Sequence, residues 1–360
     1  MFIQYLCNAL SEKFEIKLIN YSLLYPSFLF PGTTQYDQSE QVIQGFPNER
    51  LVNSINPISW IKTAHHIISE KADLVVFDWW NPFFGMCHWA MSLLVRKKYK
   101  GRILFITENF ISHEARFVDT FLTKLGLRFA DKFLALSKPV EKDLQSIAAG
   151  RPIFRSELPM FDYSLDTRFD GVAERAALGY TPDDKVLMFF GYVRKYKGLD
   201  ILLRAFLLIL KQIPEAKLLV VGEFYDKPEI YTDIVRDNGT LESVKFVNQY
   251  VPNEEVGKYF AAADVMVQPY RSATNSGILN VAYSFGVPAV VTRVGGLVEL
   301  VTDGETGILV EPESPEAIAE GVVRFYKLRE TVNFSENIRE RVAKSGFNGI
   351  TEVFEGILGV

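Results

Sequence analysis

Residues 271–291, RSATNSGILNVAYSFGVPAVV, set small polar side chains and a glycine directly before an apolar helical run. Thr274, Asn275 and Ser276 are types that begin helices, because their side-chain oxygens accept from unpaired N–H groups of the first turn. That turn leaves several N–H groups without partners, and the helix dipole is positive there. Small side chains let an anion such as a phosphate approach closely. The hydroxyls of Ser272, Thr274 and Ser276 can add donors. The same stretch would also serve as a plain capped core helix, with Ile278, Val281, Ala282 and Phe285 as its apolar face.

Two further stretches carry the same kind of chemistry. In FFGYVRKYKGLD (189–200), Gly191 permits a tight exit from a strand, and Gly198 keeps the backbone accessible. Arg194, Lys195 and Lys197 place positive charge there; arginine can hold a phosphate by two parallel bonds, lysine as a point charge. A solvated basic loop would read the same way. In TRVGGLVELVTDGETGILVEP (292–312), Gly295-Gly296 precedes a short helix with Glu299, whose carboxylate can accept from sugar hydroxyls or simply face water.

These stretches need strands to launch them. Apolar, β-branched runs occur at 15–20, 74–80, 103–109 and 132–137, then at 185–191, 217–223, 244–250, 264–270, 288–296 and 307–312. Helical patterns at 199–213, 228–239, 253–263, 276–286 and 315–329 separate the later ones. Buried strands alternating with helices predict parallel, doubly wound α/β sheets. At 360 residues the chain suits two domains. The boundary is expected in RSELPMFDYSLDTRFDG, giving domains 1–160 and 161–344 that face a cleft, with a helical final segment over 335–358 whose C-terminal helix, 345–360, crosses back and packs on the first. The chain opens on MFIQYLCNALSEKF, which reads as an amphipathic helix and not as a signal peptide. A doubly wound half normally opens with a central strand and a glycine-rich turn, and here both are missing before the helix. Either that strand lies upstream, or the first domain is rearranged and weakened.

Composition narrows the function classes. A net charge of −5 gives no general field for nucleic acid. Two cysteines and four histidines show no metal-ligand spacing, so no metal or other cofactor is expected, and a reduced, cytoplasmic setting is the natural reading. The most apolar stretch, ILLRAFLLIL, is too short to span a bilayer.

The ordered series G-x-x-R-x-x-K-G, LLVVGE, VKFVNQYVPNEEVGKYFAAADVMVQPY and SGILNVAYSFGVPAVVTRVGGLVELVTDGETGILVEP, over 185–330, resembles the second domain of retaining family 4 glycosyltransferases of the GT-B fold. The first half resembles them more loosely, through DWWNPFFG (78–85) and ENFISHEARF (108–117). The resemblance implies transfer of a sugar, with retention and without a required metal, from a nucleotide diphosphate to a hydroxyl of a glycan or lipid-linked acceptor. By it, Arg194 and Lys197 neutralise the departing diphosphate beside Gly191. Backbone at Thr274, Asn275, Ser276, Gly277 and Ile278 receives phosphate oxygens, Asn248 and Tyr250 lie near the base, and Glu299 lies near the sugar. Many members carry two glutamates eight positions apart; Ala273 and Val281 stand there, so ribose recognition must differ. Glu108 occupies the place of a histidine often found in the first domain, and His113 is a substitute candidate beside it. A catalytically silent nucleotide-sugar-binding protein on the same scaffold stays open. A nicotinamide enzyme lacks its GxGxxG turn.

Trp79, Trp80, Phe83 and Phe84 suit core and loop anchors, or an acceptor platform. RKKYKGR (96–102) has five basic residues in seven; it suits a solvated helix end, or peripheral contact with an anionic membrane surface.

Overall fold

The computed structural model describes residues 2–26, 46–110, 117–160 and 169–359. The chain forms two units. The described residues up to Pro159, with Phe347 onward, make the first, and Met160 to Gly346 belong to the second.

The first unit runs α1 (Phe2–Leu10), β1 (Leu18–Leu23), β2 (Asn48–Asn53), α2 (Pro57–Glu70), β3 (Val75–Trp79), α3 (Gly85–Val95), β4 (Ile103–Thr107), α4 (Phe117–Gly126), β5 (Lys132–Ala135), α5 (Lys138–Ala148) and β6 (Ile153–Arg155). Strands β3-β4-β5-β6 form a parallel sheet in that order, buried on both faces at its centre. Phe77, Trp79, Phe105 and Phe133 belong to one core with Val140 and Leu144 of α5. Leu104, Ile106 and Leu134 belong to another, with Leu6 and Leu10 of α1. The strand expected at 15–20 starts instead at Leu18, where Ile19 and Tyr21 pack against the first of these cores. β2 and β6 have no counterpart in the expected strands. β2 reads NERLVN with only Val52 buried, and β6 is a three-residue edge.

The described strands of this unit fall into two sheets. β1 pairs in parallel with β2 alone, and no ladder joins β1 to β3 among the described residues. Side chains bridge the two pieces. The Tyr21 hydroxyl lies 3.0 Å from His88 Nε2, and its ring meets Trp80 edge-on at 5.8 Å.

The second unit runs α6 (Gly171–Ala177), β7 (Lys185–Phe190), α7 (Leu199–Leu210), β8 (Ala216–Val221), α8 (Glu229–Asp237), β9 (Val244–Val247), α9 (Asn253–Ala262), β10 (Val265–Gln268), α10 (Gly277–Ser284), β11 (Ala289–Thr292), α11 (Leu297–Leu300), β12 (Gly307–Val310), α12 (Pro315–Leu328) and α13 (Phe334–Lys344). Its six strands are parallel in the order β12-β11-β10-β7-β8-β9. Leu187 and Phe189 of β7 enter the core under α7 and α12, while Val186 and Met188 enter the core under α10. The chain winds outward from β7 to β9, returns to β10 beside β7, and winds the other way. β7 and β10 therefore form the topological switch point, where open α/β sheets bind ligands at the strand carboxyl ends.

The helical segment expected over 335–358 is two helices, and the second lies within the 345–360 helix expected to pack back on the first domain. The chain breaks around Ser345-Gly346-Phe347, and α14 (Asn348–Leu358) buries Ile350, Phe354 and Ile357 in the core of the first unit.

Candidate active site

The loops after β7 and β10 meet at the switch point. After β7, Gly191 takes φ +106°, and a methyl group on it would lie 3.0 Å from Lys197 Nζ and 3.4 Å from Ile278 Cγ1. The lysine of the basic loop and the start of α10 thus converge on one glycine. Gly198 ends the basic turn at φ +70°; a side chain there would run into the Pro269 carbonyl. Arg271 clips the two loops together. Its guanidinium takes both oxygens of Asp200 at 2.9 and 2.8 Å and donates to the Lys195 carbonyl at 2.7 Å, while its N–H donates to the Tyr196 carbonyl at 2.8 Å.

Ser276 caps α10. Its Oγ accepts from the Leu279 N–H at 3.2 Å and from Gln268 Nε2 at 2.9 Å. That hydroxyl is buried and turned inward, so the N–H groups of Gly277 and Ile278 are what the first turn offers to an outside acceptor. The space over Gly277 is open. The apolar face expected at 278, 281, 282 and 285 understates the burial of α10. Leu279, Asn280, Tyr283 and Ser284 are buried as well, because the helix is enclosed almost all round. Thr274 and Asn275 lie on the 295–296 turn, since a side chain on Gly296 would strike the Thr274 carbonyl and approach Asn275 Oδ1.

Lys197 is 7 % exposed, and no carboxylate pairs with it among the described residues. Burial, and next the Arg194 charge, push its ammonium down to about 8. A buried cation on which another cation's charge acts is costly unless an anion completes the site. Its charge faces the Tyr270 ring at 5.8 Å, and the Arg194 guanidinium lies 5.6 Å from the Tyr196 ring.

Asn248 is committed differently: its Oδ1 accepts from the Phe224 N–H at 3.0 Å, and it joins the ends of β8 and β9. Tyr250 follows two residues later, half-buried. Glu299 lies in the short α11, where its carbonyl accepts from Arg341 of α13 at 2.8 Å. Sequence reasoning missed Tyr192 and Tyr225, whose rings lie 4.7 Å apart beyond the ends of β7 and β8. Their place, one residue past Gly191 and four past Val221, was the available signal.

In the first unit, Glu108 follows β4, and its N–H donates to the Trp79 carbonyl at 2.9 Å. Asp78, opposite Ile106, shares a sheet face with Glu108 and was also missed. Its Oδ1 is buried without a hydrogen-bond partner. Burial pushes Glu108 up to about 7; burial, then the Glu108 charge, raises Asp78 well above the usual carboxylate range. His113 lies outside the described residues. Trp79 and Phe84 are fully buried anchors.

The molecule has the fold of the GT-B glycosyltransferases, two Rossmann-like α/β units with parallel sheets. Residues 184–327 match the family described as Glycosyl transferases group 1. The sucrose-phosphate synthase of Thermosynechococcus elongatus superposes with a TM-score of 0.71 at 19% identity, covering 99% of this chain and 91% of that one. HepE of Anabaena, in complex with UDP-glucose, gives 0.70 at 18% identity, covering 87% and 86%. A D-inositol 3-phosphate glycosyltransferase of Corynebacterium urealyticum is 30% identical over 154 residues, 41% of this chain and 36% of that protein. The chain spans between about a third and a half of the length of the curated relatives it matches.

Proposed function

We propose that this protein transfers a sugar from a nucleoside-diphosphate sugar to a hydroxyl of a glycan or lipid-linked acceptor, with retention and without a metal ion. One observation carries the reading: Lys197, Gly191 and Ile278 converge at the switch point on a buried, uncompensated positive charge. A diphosphate is the ligand that such a place fits. As the bond from the anomeric carbon to the phosphate oxygen breaks, charge builds on the departing diphosphate. Lys197, Arg194 and the N–H groups of Gly277 and Ile278 stabilise it there, each such donor being worth about 3–4 kcal/mol. The acceptor oxygen forms the new bond at the anomeric carbon and gives its proton to the departing diphosphate. Glu108, with His113, supplies polar contacts on the acceptor side. The Tyr192–Tyr225 pair, with Asn248 and Tyr250, flanks the nucleoside end, and Glu299 the sugar.

The bound UDP-glucose of HepE makes a uridine donor the first to test, and the inositol phosphate in the relative's name supports a polyol acceptor. Calorimetric titration with UDP-, GDP- and ADP-sugars tests the donor site. Arg194→Ala and Lys197→Ala should each remove most transfer while the circular dichroism stays that of the wild type; wild-type turnover in either would exclude that residue from the reaction. A second reading, nucleotide-sugar binding without turnover, draws on the broken ladder between β1 and β3. Donor binding with neither hydrolysis nor transfer would favour it.

A further inference from the structure

The two cations of the candidate site lie against two rings. Lys197 Nζ is 5.8 Å from the centre of the Tyr270 ring, and the Arg194 guanidinium is 5.6 Å from that of Tyr196. The rings meet nearly at right angles, with centroids 5.9 Å apart and planes at 79°. A tyrosine ring is negative on its faces and positive at its edge, so a face attracts a cation and an edge attracts a neighbouring face.

Tyr270 has little freedom to leave this place. It is 4% exposed and shares a core with Met266 of β10 and Leu279 of α10. Its carbonyl accepts from the Thr292 hydroxyl at 2.7 Å. Gln268 Nε2, which donates to Ser276 Oγ at 2.9 Å, lies 3.5 Å from the Tyr270 hydroxyl. The next N–H along, that of Arg271, donates to the Tyr196 carbonyl at 2.8 Å and keeps the second ring beside the first. The ring is therefore fixed at its backbone, at its hydroxyl end and on one flank.

A carboxylate would hold a buried lysine more strongly, but it would also cancel the charge that an incoming diphosphate needs. Among the described residues no carboxylate pairs with Lys197. A ring face offsets part of the cost of burying the ammonium and leaves its charge whole.

We propose that Tyr270 is a positioning residue of the transfer: its ring face, standing where a carboxylate would otherwise stand, holds the Lys197 ammonium at the switch point with its charge available to a diphosphate. Tyr196 braces that ring. The proposal deepens the reading above and rests on it for the ligand; the hold of the ring on the lysine does not depend on it.

The full chain is compared with Tyr270→Leu, which removes the face, and Tyr270→Phe, which keeps it. A third protein carries pentafluorophenylalanine at position 270, which keeps the shape of the ring and reverses the charge of its face. Folding is checked by circular dichroism. Each protein is titrated calorimetrically with UDP, GDP and ADP. For the diphosphate that the wild type binds best, Tyr270→Leu and the fluorinated ring should weaken binding about tenfold at unchanged stoichiometry, and Tyr270→Phe should stay within about threefold. Equal binding by Tyr270→Phe and the fluorinated protein overturns the proposal, and does so even where Tyr270→Leu fails to fold.

A double-mutant cycle with Lys197→Leu is read in urea at pH 7 without nucleotide. Exchange of the phenylalanine ring for the fluorinated one should lower the folding equilibrium constant at least about threefold more when Lys197 is present than when it is replaced. The same loss in both backgrounds means that the ring packs without holding the lysine, and it too overturns the proposal. Coupling in the cycle with no diphosphate bound by the wild type would break the transfer reading and uphold the hold of the ring on the lysine. Diphosphate binding without coupling would do the reverse.

Discussion

Arg271 holds Asp200 by two parallel hydrogen bonds, 2.9 and 2.8 Å long, and thereby ties the loop leading into α10 to the first turn of α7. Neither residue belongs to the small polar run or to the basic triplet. Their pair nevertheless sets how far apart those two patches stand, because Arg271 also holds the Lys195 and Tyr196 carbonyls. Hydrogen bonds to charged groups contribute about 1.5–3 kcal/mol each. Arg271→Ala should therefore raise the KM for the donor about ten- to a hundredfold, with a smaller change in kcat. Unchanged kinetics in that variant would mean that the loops hold their places without the clip.

Lys197 should trade stability for binding. Its folded value of about 8 lies below the ordinary lysine value, so the unfolded chain binds more protons between about pH 8 and 10. The burden on the folded state is complete below that window and lifts as pH rises through it. Lys197→Met should stabilise the protein at neutral pH by about 1–3 kcal/mol in urea unfolding, and should abolish the stabilisation that added nucleotide gives the wild type. A destabilised variant would show that the lysine is already paid for within the protein.

Two glycines predict opposite outcomes. A methyl on Gly295 would fall on the Ala273 carbonyl, at a φ of +46°, so Gly295→Ala should displace the 273–275 loop and lower stability by about 2 kcal/mol or more. A methyl on Gly277 meets nothing within 4 Å, so Gly277→Ala should fold normally and weaken only nucleotide binding. Thermal melts with and without nucleotide separate the two, and an equal response in both variants would contradict the geometry.

The Asp78–Glu108 face should make stability depend on pH. Both carboxyls are raised in the folded state, so their contribution is full below about pH 4 and declines as pH rises through about 7 for Glu108. His88, pushed down to about 3 by burial, acts in the opposite sense below its unfolded value. The comparison of wild type with Glu108→Gln isolates the carboxyl. Relative to the wild type, the variant should gain up to about 3 kcal/mol between about pH 5 and 8 in urea unfolding. Parallel pH profiles for the two would rule the ionisation out.

The strands of the second unit were legible because they are buried on both faces and read as unbroken apolar runs, as in KVLMFF and KLLVV. β2 was not, since a half-exposed edge strand reading NERLVN carries no such run. The start of the last helix near 345 was legible, although apolar residues recur at helical spacing on both sides of the 345–347 break and face different cores. Nothing in the sequence pattern marked that β1-β2 and β3-β4-β5-β6 would form separate sheets among the described residues. At the candidate site, residue type pointed to Lys197 and Gly277, but only the fold shows the inward turn of Ser276 and the commitment of Asn248 to a backbone N–H. Asp78 gave no signal, because an acid at a strand end looks like any solvated acid until its neighbours are placed.

The helix α14 has a consequence for how the protein is made. Ile350, Phe354 and Ile357 share a core with Leu6 and Leu10 near the opposite terminus of the chain. During synthesis the whole second unit emerges before α14 does, so it can acquire its structure on the ribosome while the first unit waits, with Leu104 and Leu134 uncovered, until α14 follows.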